Sequence, residues 1–165
     1  MHTHIYRFHA FASNSVVKVT RMAKPSKSVV DTWIALNRAQ RYVFEAIEAE
    51  FKSAGLPALA WYDVLLELWR EPGGRLRQGD LEHKMLFPQY GVSRLVGRLE
   101  REKLVRRERC EDDARAYWVA ISDKGLALRQ RMWPLYAAAI QRHLGEELSE
   151  QEAARIAEGL RKLVP

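Results

Sequence analysis

The apolar residues of this sequence recur with a helical spacing over most of its length, and the spacing becomes strand-like in only one stretch. Six segments between residues 31 and 163 carry apolar side chains every three or four positions, as amphipathic helices require. Two short runs, 105–109 and 116–121, are instead strand-like and are joined by an acidic turn. The sequence therefore predicts a mainly helical α+β fold, with six helices and a two-stranded β-hairpin between the fourth and the fifth.

Proline and capping residues mark the predicted ends of several helices. Asp31 is the predicted N-cap of the first helix, and Pro88 is the predicted first residue of the fourth, where its missing N–H needs no partner. Ser122 and Ser149 are the predicted N-caps of the fifth and sixth helices. Pro134 lies within the fifth helix and is expected to kink it.

The second predicted helix, residues 57–71, is apolar on nearly all sides. A helix of this kind has no face suited to water and belongs at the centre of a molecule. The third helix is predicted at 78–85, and the fourth runs from Pro88 to about Lys103 with a buried stripe of Leu95, Val96 and Leu99. The centre of the predicted fold is therefore the second helix.

The positive charge is unevenly distributed along the chain. Residues 1–30 contain five basic residues and no acidic one, so they supply +5 of the net charge of +6. They show neither helical nor strand spacing, which predicts a flexible basic leader. Residues 73–109 hold ten basic against five acidic residues, whereas residues 31–72 sum to −3. The positive charge of the folded part is thus predicted to concentrate in the middle of the chain.

The sequence excludes several classes of protein. A chain of 165 residues with 47% hydrophobic content fits one compact domain. It has no apolar run of about 18 residues and no signal peptide, so a cytoplasmic protein without a membrane span is expected. No phosphate-binding loop, metal cluster or catalytic triad is evident, which predicts no enzyme activity, no cofactor and no metal. The sole cysteine, Cys110, excludes an internal disulfide, and His83 and His143 are interpreted as isolated.

Two short helices followed by a basic hairpin are the parts of a winged helix-turn-helix. The DNA major groove is about 12 Å wide and admits one helix, whose exposed side chains reach the base edges. On the exposed face of the fourth helix, the candidate DNA-binding residues are Gln89, Ser93, Arg94 and Arg98. On the hairpin they are Arg107, Arg109 and Arg115, which are suited to phosphates and to a narrow minor groove. The alternative is a solvated charged face without a ligand.

Three segments of this region resemble the MarR (multiple antibiotic resistance regulator) family of bacterial transcription factors. They are residues 93–105 (SRLVGRLEREKLV), Asp113-Ala114-Arg115 and residues 121–125 (ISDKG), and the element order resembles the family over residues 31–163. The resemblance implies that the fourth helix enters the major groove and that Arg115 reaches the minor groove. It implies that Asp113 orients Arg115. Gly91 and Gly97 depart from the family pattern, in which helix-forming residues are usual at these positions, and each is expected to weaken the helix by about 1 kcal/mol.

The resemblance also implies an assembly and a mode of action. The family forms homodimers through its first and last helices, here residues 31–56 and 123–165, around a winged helix-turn-helix at 57–122. A two-fold dimer is expected to bind a pseudo-palindromic operator with half-sites about 10 bp apart. The predicted function is that of a transcriptional repressor, with release from DNA by a small ligand. The alternative is a winged helix used only for dimerisation or protein contact, without sequence-specific DNA binding.

The family's ligand cavity lies between the dimerisation helices and the winged domain. Its candidate walls here are aromatic: Trp33, Tyr42, Trp61, Tyr62, Trp69, Trp133 and Tyr136. Such side chains can stack on a phenolic or other aromatic effector, but at helical spacing they can equally be core residues. Arg109 would favour a thiolate at Cys110. The position of Cys110 at the wing, however, does not favour a role as a redox sensor.

Overall fold

The computed structural model describes residues 24–86, 91–110 and 116–164. The chain divides into two units, residues 1–36 and 37–165. Helix α1, Lys27–Ser53, begins in the first unit and ends in the second. The predicted N-cap at Asp31 was wrong, because this residue lies inside the helix, where its carboxylate pairs with Lys27 at 2.6 Å. The predicted leader therefore ends before residue 27, and its residues 1–23 lie outside the described part.

The order of elements in the second unit agrees with the predicted order of helices. After α1 the structure has α2 (Leu59–Arg70), β1 (Arg75–Arg77), α3 (Gln78–Lys84), α4 (Val92–Arg101), β2 (Val105–Arg109), β3 (Tyr117–Ile121), α5 (Asp123–Ile140), a π-helical turn (Gln141–Gly145) and α6 (Glu150–Arg161). The fold is a winged helix of six helices with a small antiparallel sheet, which confirms the predicted class.

Helix α2 lies at the centre of this unit, as predicted. Leu65 and Leu68 are completely buried, and Leu59 is buried at the start of the helix. The helix packs against α3, α5, β1 and β3. The side chain of Glu48, on α1, accepts a hydrogen bond from the backbone N–H of Leu59 at 2.7 Å. Since Ala58 provides no side-chain cap, this carboxylate satisfies one of the free N–H groups at the start of α2.

The sheet has three strands, whereas two were predicted. The strand order is β1-β3-β2, and both pairs are antiparallel. Arg75–Arg77 was not predicted as a strand, because three residues are too few to show an alternating pattern. Leu76 points into the core, and the guanidinium groups of Arg75 and Arg77 lie 5.0 and 5.4 Å from the ring centre of Trp118. The outer surface of the sheet therefore carries arginines on both sides of a tryptophan.

The start of α5 is joined tightly to the chain segment between α4 and β2. Ser122 accepts a hydrogen bond from the Gly125 N–H at 3.1 Å, which confirms the predicted N-cap, and its hydroxyl donates to the Lys103 carbonyl at 2.7 Å. Lys103 itself has a positive φ of 61°. A Cβ atom on Gly125 would overlap the backbone carbonyl oxygen of Leu104. Glycine is therefore required at this position because there is no room for a side chain, and not because of its backbone angle φ.

The fifth helix, α5, contains Pro134, as predicted. It ends at Ile140, and the π-helical turn follows. His143 is not isolated as interpreted, since its Nε2 lies 2.8 Å from Oε1 of Glu50 on α1. Arg142 pairs with the other oxygen of Glu50, and hydrogen bonds from Arg142 and then His143 lower the pKa of this carboxyl. The capping box at Ser149 is confirmed.

The described residues show neither a membrane span nor a metal site. None of their helices is both long and apolar enough to cross a bilayer. In the same part of the chain, no three His, Cys, Asp or Glu residues are placed to hold a metal ion. The histidines at positions 2, 4 and 9, which the sequence analysis left outside the predicted folded part, lie outside the described residues.

We expect Gly125→Ala to destabilise the protein by about 1–3 kcal/mol, the usual effect of forcing an extra methyl group into a packed site. Gly79→Ala is the matched control, because a Cβ at that helical position meets no atom of the described residues within 4 Å. The control should be neutral or stabilising by up to about 1 kcal/mol. Urea unfolding measures both, and equal stabilities for the two variants would contradict the close contact.

Candidate nucleic-acid interface

Helix α4 has one face in the core and one face in solvent. Val92, Leu95, Val96 and Leu99 are all at least 96% buried, which confirms the predicted stripe and extends it by one residue. The opposite face presents three of the predicted DNA-binding residues to solvent, namely Ser93, Arg94 and Arg98. The fourth, Gln89, lies outside the described residues. The helix packs against β2 and α3, so the winged-helix framework holds it from behind.

The helix begins later than predicted. Its first residue is Val92 and not Pro88, which lies outside the described part. Gly91 precedes the helix with φ 98° and ψ 41°, a left-handed conformation, and its carbonyl accepts hydrogen bonds from the N–H groups of Arg94 and Leu95. The expectation that this glycine weakens the helix was wrong, because glycine is the residue that adopts such a conformation at little cost. Only Gly97 lies within the helix.

Arg94 and Arg98 are cations whose charge is available to a ligand. Both side chains are exposed, and within the described part of the chain neither takes part in an ion pair with a carboxylate. An exposed guanidinium group can donate to a phosphate oxygen or, in a bidentate manner, to the edge of a guanine. The outer face of α4 therefore has the hydrogen-bonding and cationic groups that a nucleic-acid contact requires.

The arginines of the sheet are partly neutralised by Glu108. Its carboxylate oxygens lie 2.6 Å from Nε of Arg106 and 3.3 Å from Nη1 of Arg75. These hydrogen bonds, the one from Arg106 foremost, hold the pKa of Glu108 below its ordinary value. Arg75 and Arg77 were not predicted as part of a basic surface, because strand β1 was not predicted. The sequence signal for this strand was the alternation Arg-Leu-Arg in Arg75–Arg77, with arginine at every second position.

Arg107 differs from its predicted role. Its guanidinium group is directed at α4, where Nη1 lies 3.1 Å from a carboxylate oxygen of Glu100 and Nη2 lies 3.1 Å from the carbonyl of Ser93. The structure therefore places the Arg107 guanidinium group against α4, whereas the sequence predicted it as a DNA contact. The reason is the alternation of the strand, which points Arg106 and Arg107 to opposite faces.

The tip of the hairpin is described only in part. Arg109, at the end of β2, is exposed as expected. Asp113 and Arg115, the predicted wing aspartate and arginine, lie outside the described residues. Cys110 is a free thiol that is 5% exposed. This burial limits access of an oxidant to the sulfur, and so it does not favour a redox role.

A cleft of about 580 Å³ lies beside α2 and α5 and contains part of the predicted aromatic set. Tyr62 and Trp133 stack with a ring separation of 6.3 Å and an angle of 17°, and Tyr136 meets Tyr62 edge-on at 5.0 Å. The lining residues are Tyr62, Asp63, Leu66, Glu67, Trp69, Arg70, Lys84, Leu86, Arg129, Trp133 and Tyr136.

Three of the predicted aromatics do not line this cleft. Trp61 packs against the core, and Tyr42 is largely exposed. Trp33 belongs to the first unit and is also largely exposed.

The cleft combines aromatic surfaces with charges of both signs. The guanidinium group of Arg129 lies 3.9 Å from the ring centre of Trp69, and its buried Nε has no hydrogen-bond partner among the described residues. Asp63 and Glu67 are both buried, and Glu67 pairs with Arg70 at 2.8 Å. Burial raises the pKa of Tyr62 above its ordinary value. The arrangement suits a flat molecule with polar substituents.

Comparison with known proteins shows that the region containing α4 and β2 is similar to one family. Residues 54–116 match the family model described as MarR family. Over 131 residues the chain is 27% identical to the HTH-type transcriptional regulator MhqR of Bacillus subtilis (strain 168), an alignment that covers 79% of this chain and 88% of MhqR. The matched family region includes α2, β1, α3, α4 and β2, and it ends just before β3.

Solved structures agree with the fold. Sco3205, a MarR family transcriptional regulator from Streptomyces coelicolor solved in complex with DNA, has a TM-score of 0.73 and 21% identity, and the match covers 85% of this chain and 88% of Sco3205. BpsR of Bordetella bronchiseptica, solved to explain the regulation of its DNA binding by 6-hydroxynicotinic acid, has a TM-score of 0.71 and 24% identity, with coverage of 82% and 99%. At these identities the structures support the fold.

The two glycines of the α4 region provide a paired test. Gly91→Ala should destabilise the protein by about 1–2 kcal/mol, because alanine is strained in the left-handed conformation. Gly97→Ala should instead be stabilising by up to about 1 kcal/mol. Among the described residues, the new Cβ would meet only the Arg107 side chain within 4 Å, at an ordinary contact distance of 3.9 Å. Chemical denaturation measures both changes, and a stable Gly91→Ala variant would show that the start of α4 does not need this conformation.

Proposed function

Because this chain belongs to the MarR family of winged-helix transcriptional regulators, we propose that it is a homodimeric repressor that binds a pseudo-palindromic operator and is released by a small aromatic ligand. The family consists of DNA-binding regulators and not of enzymes. The single observation that carries the proposal is the outer face of α4, where Arg94 and Arg98 are exposed and unpaired within the described chain.

The proposed DNA contacts come from two elements. Ser93, Arg94 and Arg98 of α4, together with Gln89 from the sequence, contact bases and phosphates in the major groove. Arg109 and Arg115 contact the adjacent minor groove from the wing, with Asp113 orienting Arg115. Arg107 is excluded from the contacts, because its guanidinium group is bonded to α4.

The proposed dimer is supported by apolar side chains that are exposed near the two ends of the chain. In the first part of α1, Val29, Trp33 and Ile34 are exposed, and beyond α5 so are Ile156, Leu163 and Val164. Apolar surfaces of this kind are usually covered by a partner. A second copy of the chain is the proposed partner, with α1 and the residues from 123 onward in the interface and residues 57–122 as the DNA-binding part. A two-fold dimer then sets the two α4 helices about one DNA turn apart.

The proposed effector site is the cleft beside α2 and α5. Its stacked Tyr62 and Trp133 suit an aromatic ring, and Arg129, which also lines the cleft, supplies a cation suited to a polar substituent. BpsR, whose DNA binding is regulated by 6-hydroxynicotinic acid, provides an example of the chemical class. The effector would act by favouring a conformation in which the two α4 helices are mis-spaced for successive major grooves.

Substitution of the outer face of α4 tests the proposed function. We expect Arg94→Ala and Arg98→Ala each to weaken binding to a duplex selected from a random pool by about 1–3 kcal/mol. Each lost phosphate contact should also reduce the slope of log affinity against log salt by about one unit. Fluorescence anisotropy over a range of salt concentrations measures both effects.

Arg106→Ala is the matched control for this experiment, because Arg106 is an exposed arginine on β2 that lies outside the proposed contacts and the proposed dimer interface. It should bind the selected duplex as the wild type does. If both α4 variants bind like the wild type while remaining folded, the proposed DNA-reading surface is wrong. If the wild type shows no salt-sensitive preference for any duplex, the winged helix serves protein contact instead.

The effector site is tested with 6-hydroxynicotinic acid as the probe. The compound should raise the midpoint of thermal unfolding and weaken binding to the selected duplex, because it binds the folded protein in the cleft. Trp133→Ala should abolish both effects, whereas Tyr42→Ala, which removes an exposed aromatic outside the cleft lining, should retain them. No response of the wild type, or an unchanged response in Trp133→Ala, would contradict an aromatic effector of this class in this cleft.

A further inference from the structure

We propose that Arg107 is a positioning residue that anchors helix α4 to strand β2 and acts on DNA only through that helix. The inference rests on the proposed function, since it concerns the helix that is proposed to read the operator. Arg107, on β2, makes three hydrogen bonds to α4. These bonds distinguish its role from that of the exposed arginines around it.

The contacts of Arg107 reach both ends of α4. Its backbone N–H donates to Oε1 of Glu100 at 3.3 Å, and its Nη1 donates to Oε2 of the same carboxylate at 3.1 Å. Its Nη2 donates to the backbone carbonyl of Ser93 at 3.1 Å. Ser93 lies in the first turn of the helix and Glu100 in the last. Seven residues of α-helix correspond to about 10 Å, so a single side chain connects the two ends of the helix to the strand.

Helix α4 lacks several of the features that would make it stable by itself. It has 10 residues, and no side chain of the described residues caps its N-terminus. Isolated helices shorter than about 12–15 residues are marginal in water, and Gly97 in its middle lowers its helix propensity by about 1 kcal/mol. The buried stripe fixes the helix from the core side. The bonds from Arg107 fix it from the strand side, which restricts rotation and sliding of the helix on the core.

The surroundings of Arg107 do not suit a phosphate contact. Its side chain is only 27% exposed, and its charge is paired with Glu100. Arg94 and Arg98 are exposed, and neither is paired with a carboxylate in the described chain. Bringing the Arg107 guanidinium group to DNA would break its bonds to α4. Its removal should therefore disturb the helix without changing the number of phosphates that the protein neutralises.

The same strand provides a matched control. Arg106 precedes Arg107, lies on the opposite face of the sheet and pairs with Glu108 of its own strand at 2.6 Å. An Arg106→Met variant therefore removes a guanidinium group and an ion pair of β2 while leaving the bonds between Arg107 and α4 intact. Any effect that comes from lost charge or from a weakened strand alone appears in this control.

The experiment compares Arg107→Met, Arg107→Lys, Glu100→Ala and the double variant Arg107→Met/Glu100→Ala with Arg106→Met. We expect Arg107→Met to weaken binding to the selected duplex by about ten-fold, the scale of a lost charge-assisted hydrogen bond, with an unchanged salt slope. The double variant should bind no more weakly than Arg107→Met, because the two residues act through one contact. Arg107→Lys should resemble Arg107→Met, since lysine keeps the charge but lacks the planar fork. Arg106→Met should bind like the wild type.

Amide hydrogen exchange in the free protein gives a second readout that does not depend on DNA. Arg107→Met and Arg107→Lys should lower the protection of the amides of residues 92–101, and Arg106→Met should not. A failure of the wild type to prefer any duplex would refute the proposed function, and these exchange data would still test the anchor. Unchanged protection in both Arg107 variants would refute it. A salt slope smaller by about one unit in Arg107→Met, together with wild-type binding by Arg107→Lys, would identify a phosphate contact and also refute it.

Discussion

The burial of α2 is the constraint on which the rest of the structure depends. This helix is apolar on nearly all sides, so it can leave water only if other elements surround it. α3, α5, β1 and β3 do so. Because α2 and its neighbours fill the centre of this unit, α4 lies outside it. It packs on α3 and β2 at the outside of the framework, with one apolar stripe buried and its arginine-bearing face in solvent.

The position of α4 then depends on local features at its two ends. Gly91 begins the helix in a left-handed conformation, and Lys103 reverses the chain after it with a positive φ. The segment that follows is held against the start of α5 by the hydroxyl of Ser122 and by the space that Gly125 leaves for a backbone carbonyl. A short helix with little stability of its own is in this way fixed by its surroundings, which suits a surface that must keep one geometry to recognise a duplex.

Much of the fold was accessible from the sequence, because burial imposes a period on each helix. The order of the six helices, the central place of α2, the stripe of α4 and the serine caps at Ser122 and Ser149 all follow from residue spacing or from local hydrogen bonds. Strand β1 was missed because its three residues become a strand only by pairing with β3, which is distant in sequence. The start of α4 was misplaced because proline is a general signal for a first turn, whereas Gly91 shows its role only through its φ.

The candidate site was less accessible than the fold, because tertiary contacts decide where a charged side chain points. Arg94, Arg98 and Arg107 look alike in the sequence, and only the pairing of β2 beside α4 separates the exposed pair from the residue bonded to Glu100. The aromatic set was similarly divided. Helical spacing identifies which aromatics share a face, but not which faces meet, so Tyr62 and Trp133 line the cleft while Trp61 packs against the core.

The arginines of the sheet have a further consequence that is independent of any ligand. β3 is the central strand, so β1 and β2 are the two edges of the sheet, where backbone groups can pair with a strand of another molecule. β1 carries arginine at two of its three positions and β2 at three of its five. Charged side chains on short edge strands oppose the approach of a second edge. The residues that make this sheet basic therefore also protect the protein from aggregation by strand addition.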